Sequence, residues 1–491
     1  MPQTSRAEPW WWRHPWAAGS LFLIAWVALR AALMLASGLE LHFDEAQYWT
    51  WSRHPDWSYY SKGPLLAWLI ALSTALFGDG EWQVRLPAWI ASGLLALVLA
   101  QLAWRMFERR EAVVWAVLLA TTTPLYFGLG QVMTTDIFLF LAWATALLGL
   151  YRALVLAQSG GWIIAGTAAG IGALAKSTMA LLPLAVFLWL LLTPSRRTQL
   201  RTPYPWIAAL IALLLVSPIL VWNAGHDWVM FRHDEGHVGE AEPGLRYLGE
   251  FIASQWLLLS PVIAIIGVVL LHRPPRERGQ AFVWWVCLGV LGFFVIKAAL
   301  GKVQPNWAAP AYLGLLALLA GHLSSASKTM QNWARGGVAL SVALCLLVFF
   351  APLLGLDGRR DPLKELKGWN EPIQALAGEA GETDFLLTDR YRLASELAFY
   401  WPGKPSVFLT TEGRKRRSQF DLWPGPETQR GNNGIFVTDR DELANQAAEA
   451  FESCTVLTPR VSGGDKRPVR TLRAWRCRNF GTINWPPPNA W

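Results

Sequence analysis

The stretch LHFDEAQYWTWSRHPDWSYYSKGPLLAWLI, residues 41–70, places two adjacent carboxylates, Asp44 and Glu45, shortly before two tyrosines, Tyr59 and Tyr60, and a lysine, Lys62. A carboxylate so placed can take a proton from a hydroxyl or hold a divalent metal. A lysine flanked by phenols suits a phosphate group. The acid pair can equally do no more than start a helix, where the backbone dipole favours negative charge. Spacing alone leaves both readings open. A third acid, Asp136, lies in TTPLYFGLGQVMTTDIFLF. Thr134 or Thr135 can cap a helix there, which would put Asp136 in its first turn.

Further candidates are more ambiguous. The segment NAGHDWVMFRHDEGHVGEAEPG carries His226, His233, Asp234, Glu235 and His237. His233 and His237 are four residues apart and would share one face of a helix, as zinc ligands do. The order HDEGH is not the metalloprotease order, and Gly236 weakens a helix. A solvated loop, a ligand contact and a metal site remain three readings of it. Lys302 and Asn306 in GKVQPNW, and Lys176 farther back, are candidates for a phosphate or sugar, against simple snorkelling of the lysines to lipid headgroups. The basic run GRKRRSQ, residues 413–419, suits an anionic acceptor or a plain solvated surface.

The elements that must position these residues are membrane helices. Of the 491 residues, 53% are hydrophobic and 16% charged, against about 25% charged in ordinary soluble chains. Apolar runs long enough to cross a bilayer recur as far as Pro352. They predict about eleven spans, at 17–37, 85–105, 112–129, 134–156, 161–175, 178–193, 205–223, 250–271, 281–299, 307–322 and 335–353. The first is too long for a signal-peptide core and has no small-residue cleavage site. Segments 105–111, 195–201 and 272–279 are basic, as is the stretch around Lys328 and Arg335. Loops 40–83, 130–133, 224–248 and 300–306 are poorer in Lys and Arg. The positive-inside rule then puts the N-terminus in the cytoplasm and those four loops outside. The net charge of +8 reads as topology rather than nucleic-acid binding.

After residue 356 the composition turns polar. Strands are expected at 384–389, 406–411 and 434–439, and helices at 392–401 and 440–451. The chain therefore divides into a membrane domain, 1–356, with an outer loop 40–83, and a small extracytoplasmic α/β domain, 357–491. Cys454 and Cys477 lie in that outer part. They pair or stay free as far as spacing can say, whereas Cys287 and Cys345 lie in apolar runs.

The run DEAQYW…YYSKGPLLAWLIALSTALFG…RLPA resembles the first-loop signature of glycosyltransferase family 39. That family includes protein O-mannosyltransferases and the bacterial lipid A aminoarabinose transferases, and it belongs to the GT-C superfamily. TPLYFGLGQVMTTDIFLF, GIGALAKSTMALLPLAVFLWLL, VWNAGHDWVMFRH, GKVQPNWAAPAYLGLLAL and DRYRLASELAFYWPGKPSV are similar to later segments of the same group. The resemblance implies a GT-C membrane fold and a sugar donor carried on a polyprenyl phosphate. The acceptor would be lipid A, another lipid-linked glycan or a polysaccharide at the outer face of a Gram-negative-type inner membrane. It implies Asp44 as base, with Asp136 and Glu45 beside it, and Lys62, Tyr59, Tyr60 and Lys302 at the donor phosphate. Tyr48, His233, His237 and Asn306 would line the donor or acceptor. The resemblance names no certain cofactor, and a divalent metal stays open. Two departures stand out: Ser61 where the aminoarabinose enzymes carry an acid, and Gln47 where they carry an arginine. Rival readings are a flippase of lipid-linked sugars, which would show broken helices and inverted repeats, and a metalloprotease built on the His233 loop.

Overall fold

The structure is a computed structural model. It describes residues 9–238, 245–351 and 363–488, apart from 413, 415, 443, 464–468, 484 and 487, and the side chains of 234–238 lie outside the described part. In chain order the helices of the first half are α1 (Trp10–Arg13), α2 (Pro15–Ser37), α3 (Phe43–Ser52), α4 (Leu65–Phe77), α5 (Glu81–Phe107), α6 (Arg110–Thr122), α7 (Pro124–Leu129), α8 (Thr135–Leu154), α9 (Gly160–Ala175), α10 (Leu181–Leu192) and α11 (Tyr204–Ala224). After them come α12 (Val229–Val238), α13 (Leu245–Leu259), α14 (Pro261–Leu271), α15 (Arg278–Leu300), α16 (Ala309–Ser325), α17 (Lys328–Phe349), α18 (Asn370–Ala380), α19 (Tyr391–Tyr400) and α20 (Asn445–Ala450).

Seven of the described helices are long and apolar enough to cross a membrane, or nine if each of two bent pairs is one span. Their outward faces carry residues such as Leu213, Leu214, Val221 and Ile296, all exposed, as hydrocarbon contact requires. The sequence predicts eleven uninterrupted spans; several are interrupted here. Thr123 and Pro124 separate α6 from α7. Ser260, at φ 71°, precedes Pro261, and α13 and α14 meet there at 101°. Pro194 opens a 3₁₀ turn that leaves α10 at 118°. In each case a proline removes a backbone donor and ends the preceding run. Leu65–Phe77 and Gly160–Ala175 are shorter apolar helices.

Two close contacts tie the bundle together. Helices α8 and α9 touch backbone to backbone: a Cβ on Gly149 would stand 2.7 Å from the Gly161 carbonyl oxygen and 2.8 Å from the Ala165 nitrogen. In α2, Arg30 is wholly buried. Its Nη1 donates to the Phe127 carbonyl at 2.7 Å and to Gln131 Oε1 at 3.2 Å, and its guanidinium lies 4.3 Å from the ring centres of both Trp26 and Phe127.

The C-terminal part is a sheet in the order β2–β1–β3–β6–β4, with β5 pairing β6. β1 (Phe385–Thr388) lies parallel to both β2 (Ser406–Leu409) and β3 (Gly434–Thr438). β6 (Arg470–Phe480) runs antiparallel to β3, β4 (Phe451–Val456) and β5 (Arg460–Ser462). Cys454 and Cys477 face each other across β4 and β6 and are joined by a disulfide. The helix expected over 440–451 is confined to Asn445–Ala450; the residues before it are committed elsewhere, Arg440 to Asp389 at 3.0 Å and Asp441 to Arg473 at 2.6 Å. One side of the sheet packs Phe385, Phe436, Phe451 and Phe480 together. The other side, with Leu386, Leu393, Ile435 and Val437, joins the same apolar core as the membrane helices.

The Gly149–Gly161 contact sets how closely α8 and α9 approach, so Gly161→Leu should force them apart. The expected cost is about 1–3 kcal/mol, read as a lower midpoint of thermal unfolding in detergent followed by tryptophan fluorescence. An unchanged midpoint would contradict the close approach.

Candidate active site

The site begins at the first turn of α3. His42 holds the N-cap position: its backbone N–H donates to Glu45 Oε2 at 2.9 Å, and its Nδ1 accepts from the Asp44 N–H at 3.2 Å. This reciprocal arrangement is a capping box. Asp44 and Glu45 then turn in opposite directions. Glu45 is 1% exposed and points inward. Its Oε1 accepts from Arg85 Nε at 2.9 Å and from the Met133 N–H at 2.7 Å, and its Oε2 accepts from Arg85 Nη2 at 2.7 Å. Arg85 completes its own bonding on the carbonyls of Leu39 and Glu40. Glu45 thus has no oxygen to offer a substrate. It holds α3, α5 and the turn before α8 in register.

Asp44 faces the other way. Its side chain is 45% exposed, and its Oδ2 lies 3.6 Å from His42 Nδ1. Burial pushes its carboxyl pKa up; the positive charges of His42, Lys62 and Arg392 pull against that, and Glu45 adds to the rise. One turn on, Tyr48 is buried, and its hydroxyl pKa is pushed well above the ordinary phenol value by burial, then by Asp44 and Asp136. It therefore stays a donor at any physiological pH.

Asp136, the second residue of α8, is 6% exposed, and its Oδ1 accepts from Lys176 Nζ at 2.8 Å. Lys176 sits where α9 ends in extended backbone. The α8–α9 contact therefore fixes both ends of this ion pair. Thr134 stands at the N-cap of α8, but its side chain makes no capping bond. Lys62 occupies a tight turn in which Tyr59 N–H donates to the Lys62 carbonyl at 3.1 Å. The next residue, Gly63, lies so close to the Leu174 carbonyl that a Cβ there would collide with it. The turn is thereby clamped onto the end of α9, beside Lys176.

The remaining candidates divide. Tyr60 is 6% exposed, and its ring lies 5.0 Å from that of His233, which α12 brings in from the loop after α11. Burial drives the pKa of its hydroxyl upward. Tyr59 serves the loop instead: its hydroxyl donates toward the carbonyls of Trp51 and His54, both 3.1 Å away, accepts from the Asp56 N–H at 3.2 Å, and its ring stacks on Trp51. That leaves it nothing for a phosphate. Lys302 is exposed, and no described contact ties it or Asn306 to the Asp44 group; Pro305 next door bonds to Gln255 of α13. The His237 side chain lies outside the described residues. Among those described, no three His, Cys, Asp or Glu side chains converge to hold a metal.

Sequence reading also misses residues. Arg85, in the RLPA segment, is the partner of Glu45; a charge inside an apolar run is the signal that such a partner must exist. Tyr391 and Arg392 open α19 of the outer domain. Tyr391 lies 6.5 Å, ring to ring, from Phe43, and the Arg392 guanidinium lies 4.2 Å from the Phe43 ring centre. No local pattern reveals that a residue some 350 positions downstream packs on Phe43.

The fold is that of a GT-C membrane protein. A solved structure of ArnT from Cupriavidus metallidurans bound to undecaprenyl phosphate superposes with a TM-score of 0.64 at 16% identity, over 92% of this chain and 98% of that one. Residues 61–222 match the family described as dolichyl-phosphate-mannose-protein mannosyltransferase. The lipid A galacturonosyltransferase RgtD of Rhizobium johnstonii is 29% identical over 400 residues, 78% of this chain and 82% of that protein. The undecaprenyl phosphate-α-4-amino-4-deoxy-L-arabinose arabinosyl transferase of Pseudomonas aeruginosa strain UCBPP-PA14 is 30% identical over 320 residues, 60% of this chain. The chain spans about half the length of these arabinosyl transferases, 55% of that one and 50% of the Edwardsiella ictaluri enzyme. The chain thus shares the fold of a solved ArnT and is similar in sequence to membrane glycosyltransferases that act on lipid A or use undecaprenyl phosphate sugars, as their names state.

The Glu45–Arg85 pair is wholly buried, so Glu45→Leu leaves an uncompensated charge and should cost about 3–5 kcal/mol. The double replacement Glu45→Leu with Arg85→Met should cost less than either change alone. Thermal unfolding of the three purified variants checks this, and a double variant less stable than both singles would refute it.

Proposed function

We propose that this enzyme moves a sugar from a polyprenyl phosphate, of the undecaprenyl class, to a hydroxyl of an acceptor at the outer face of the membrane. The names of its relatives point to lipid A as that acceptor. The observation that carries the proposal is Asp44: a half-exposed carboxylate 3.6 Å from His42 Nδ1 and within electrostatic reach of Lys62 and Arg392.

In this reading the acceptor hydroxyl gives its proton to Asp44 as its oxygen attacks the anomeric carbon. The bond from that carbon to the phosphate oxygen breaks, and its electron pair leaves with the lipid phosphate. Lys62 stabilises the charge that develops there, and Tyr48 and Tyr60 donate hydrogen bonds into the same space. Lys176 holds Asp136 in place, and Glu45 is a positioning residue. A single displacement inverts the anomeric centre. His233 lies at the sugar-binding wall through its contact with Tyr60.

We read the membrane topology as eleven spans, counting the shorter α6 and α9 with the bent pairs, with the N-terminus cytoplasmic. The α/β domain, 357–491, and the loop 40–83 then lie in the periplasm. The basic segments 105–111, 195–201 and 272–279 support this orientation, as does a disulfide in the outer domain. The lipid tail then stays in the bilayer while the sugar meets an aqueous acceptor.

Asp44→Asn should lower transfer about 10²–10⁴-fold, measured as the modified lipid A recovered by mass spectrometry from a deletion strain carrying the variant. Recovery equal to wild type would rule out Asp44 as the base. Because Asp44 acts as the anion and its pKa is raised, activity should fall on the acid side. The inflection should lie above the ~3.9 of an ordinary aspartate, read from kcat/KM against pH.

A further inference from the structure

At the end of the bundle remote from Asp44, helices α8 to α11 enclose an apolar hollow of about 230 Å³. Helix α8 runs 20 residues from its start beside Asp136, about 30 Å at the helical rise, and Leu150 near its far end lines the hollow. The back is closed where α9 meets α11, since a Cβ on Gly166 would collide with the Ala208 carbonyl. The front is open: Phe187 of α10 and Trp206 of α11 line it and are exposed. The lining is aliphatic and aromatic, so water finds no set of partners there. Left empty, the hollow would forfeit dispersion contacts along its walls. Hydrocarbon chain is what a bilayer offers to fill it.

The mouth of this hollow is basic. The 3₁₀ turn Pro194–Arg201 leaves α10 at 118° and brings Leu200 into the lining. Arg196, Arg197 and Arg201 belong to the same turn, and Arg152 stands near the end of α8. Arg196 Nη1 donates to the Leu154 carbonyl at 2.9 Å and Arg197 Nε to the Leu191 carbonyl at 2.7 Å, which holds both at the ends of the helices that form the walls. Arg197 and Arg201 are exposed. None of the four arginines forms an ion pair among the described residues. The chain has no Asp or Glu from 137 to 226. Glu277, at the start of α15 beside Tyr151, is used to cap that helix, accepting from the Gly279 and Gln280 N–H groups. Trp206 Nε1 donates to the Leu200 carbonyl at 2.9 Å, and with the exposed Tyr204 it marks the headgroup level.

An apolar slot with uncompensated arginines at its rim matches a lipid whose headgroup is an anion. The tail of a donor lipid fits less well. Its phosphate would lie at the Asp44 end, in the other leaflet, and would leave these arginines unmatched.

We propose that the hollow and its arginine rim bind a two-chain phospholipid with an anionic phosphodiester headgroup, drawn from the leaflet opposite the Asp44 site. One acyl chain fills the slot, and Arg197 and Arg201 take the phosphate. The site is separate from the transfer site and does not depend on the chemistry assigned there.

The test uses the purified full-length protein in detergent with phosphatidylglycerol that carries a photoactivatable diazirine on one acyl chain, and the matching phosphatidylcholine. Crosslinked peptides are identified by mass spectrometry. Phosphatidylglycerol should label residues 182–209 more than phosphatidylcholine does, by about tenfold, as two arginines at the membrane surface allow. Arg197→Gln combined with Arg201→Gln should bring the two lipids to equal labelling. Ala209→Trp, at an exposed position on the rim, should reduce labelling by both. The arginine variant leaves the hollow intact and decides the matter even where Ala209→Trp does not fold. Equal labelling of wild type by the two lipids would overturn the site, as would a preference that survives in the arginine variant. Displacement of phosphatidylglycerol by an equimolar polyprenyl phosphate would also overturn it, by giving the hollow to the tail of the donor.

Discussion

The buried contact between Glu45 and Arg85 is the constraint on which the site depends. Taking both charges out of water costs several kcal/mol for each ion. The cost is offset because the carboxylate accepts four hydrogen bonds and the guanidinium donates four: Glu45 accepts from Arg85, from its own helix cap and from the Met133 amide, while Arg85 also bonds two carbonyls of the connection before α3. Three segments far apart in sequence are thereby joined at one point. They are the start of the first outer helix, the second long helix and the turn that launches α8. With Glu45 so fixed, its neighbour Asp44 has one direction left, outward into the cavity. Two adjacent acids that look alike in the sequence are assigned opposite tasks by a single arginine.

Much of this is legible in the sequence, and the exceptions have physical reasons. The apolar runs mark the membrane helices because hydrocarbon demands a continuous hydrogen-bonded apolar surface. Their interruptions are harder to see, since Pro124, Pro194 and Pro261 each sit within or beside runs that remain apolar on both sides. The Asp44, Tyr60 and Lys62 group is visible because its members lie within one loop. Tyr59 is indistinguishable from Tyr60 by type and position; only the fold shows that its hydroxyl closes the loop on Trp51 and His54. The short α20 is misread as a longer helix because local propensity in 440–451 favours helix, while ion pairs to Asp389 and Arg473 hold its first residues in another conformation.

The C-terminal domain is tied to the membrane part by hydrogen bonds and an ion pair. The Tyr400 hydroxyl donates to Glu81 Oε1 at 2.6 Å and accepts from the Leu41 N–H at 2.8 Å. Glu40 accepts from the Trp369 N–H, and Lys404 lies over Trp49 while pairing with Asp79. Gln419 accepts from the Tyr60 N–H at 2.8 Å. These bonds converge on the first outer loop from both sides of α19, so the sheet cannot drift without moving α3. The surroundings of Asp44 therefore include residues from both halves of the chain, Lys62 and Arg392 among them.

Arg30 has a consequence for how the protein is made. In the finished fold its guanidinium is matched by the Phe127 carbonyl, Gln131 and two aromatic rings. All but Trp26 of these partners are synthesised some hundred residues after it. An arginine deep in an isolated apolar helix disfavours insertion by about 2.5–3.5 kcal/mol. During biogenesis α2 must therefore wait, either near the lipid headgroups or sheltered by the insertion machinery, until the turn around Gln131 emerges. The earliest helix of the chain is thus among the last to settle, and the ribosome's pace over the next hundred codons becomes part of its assembly.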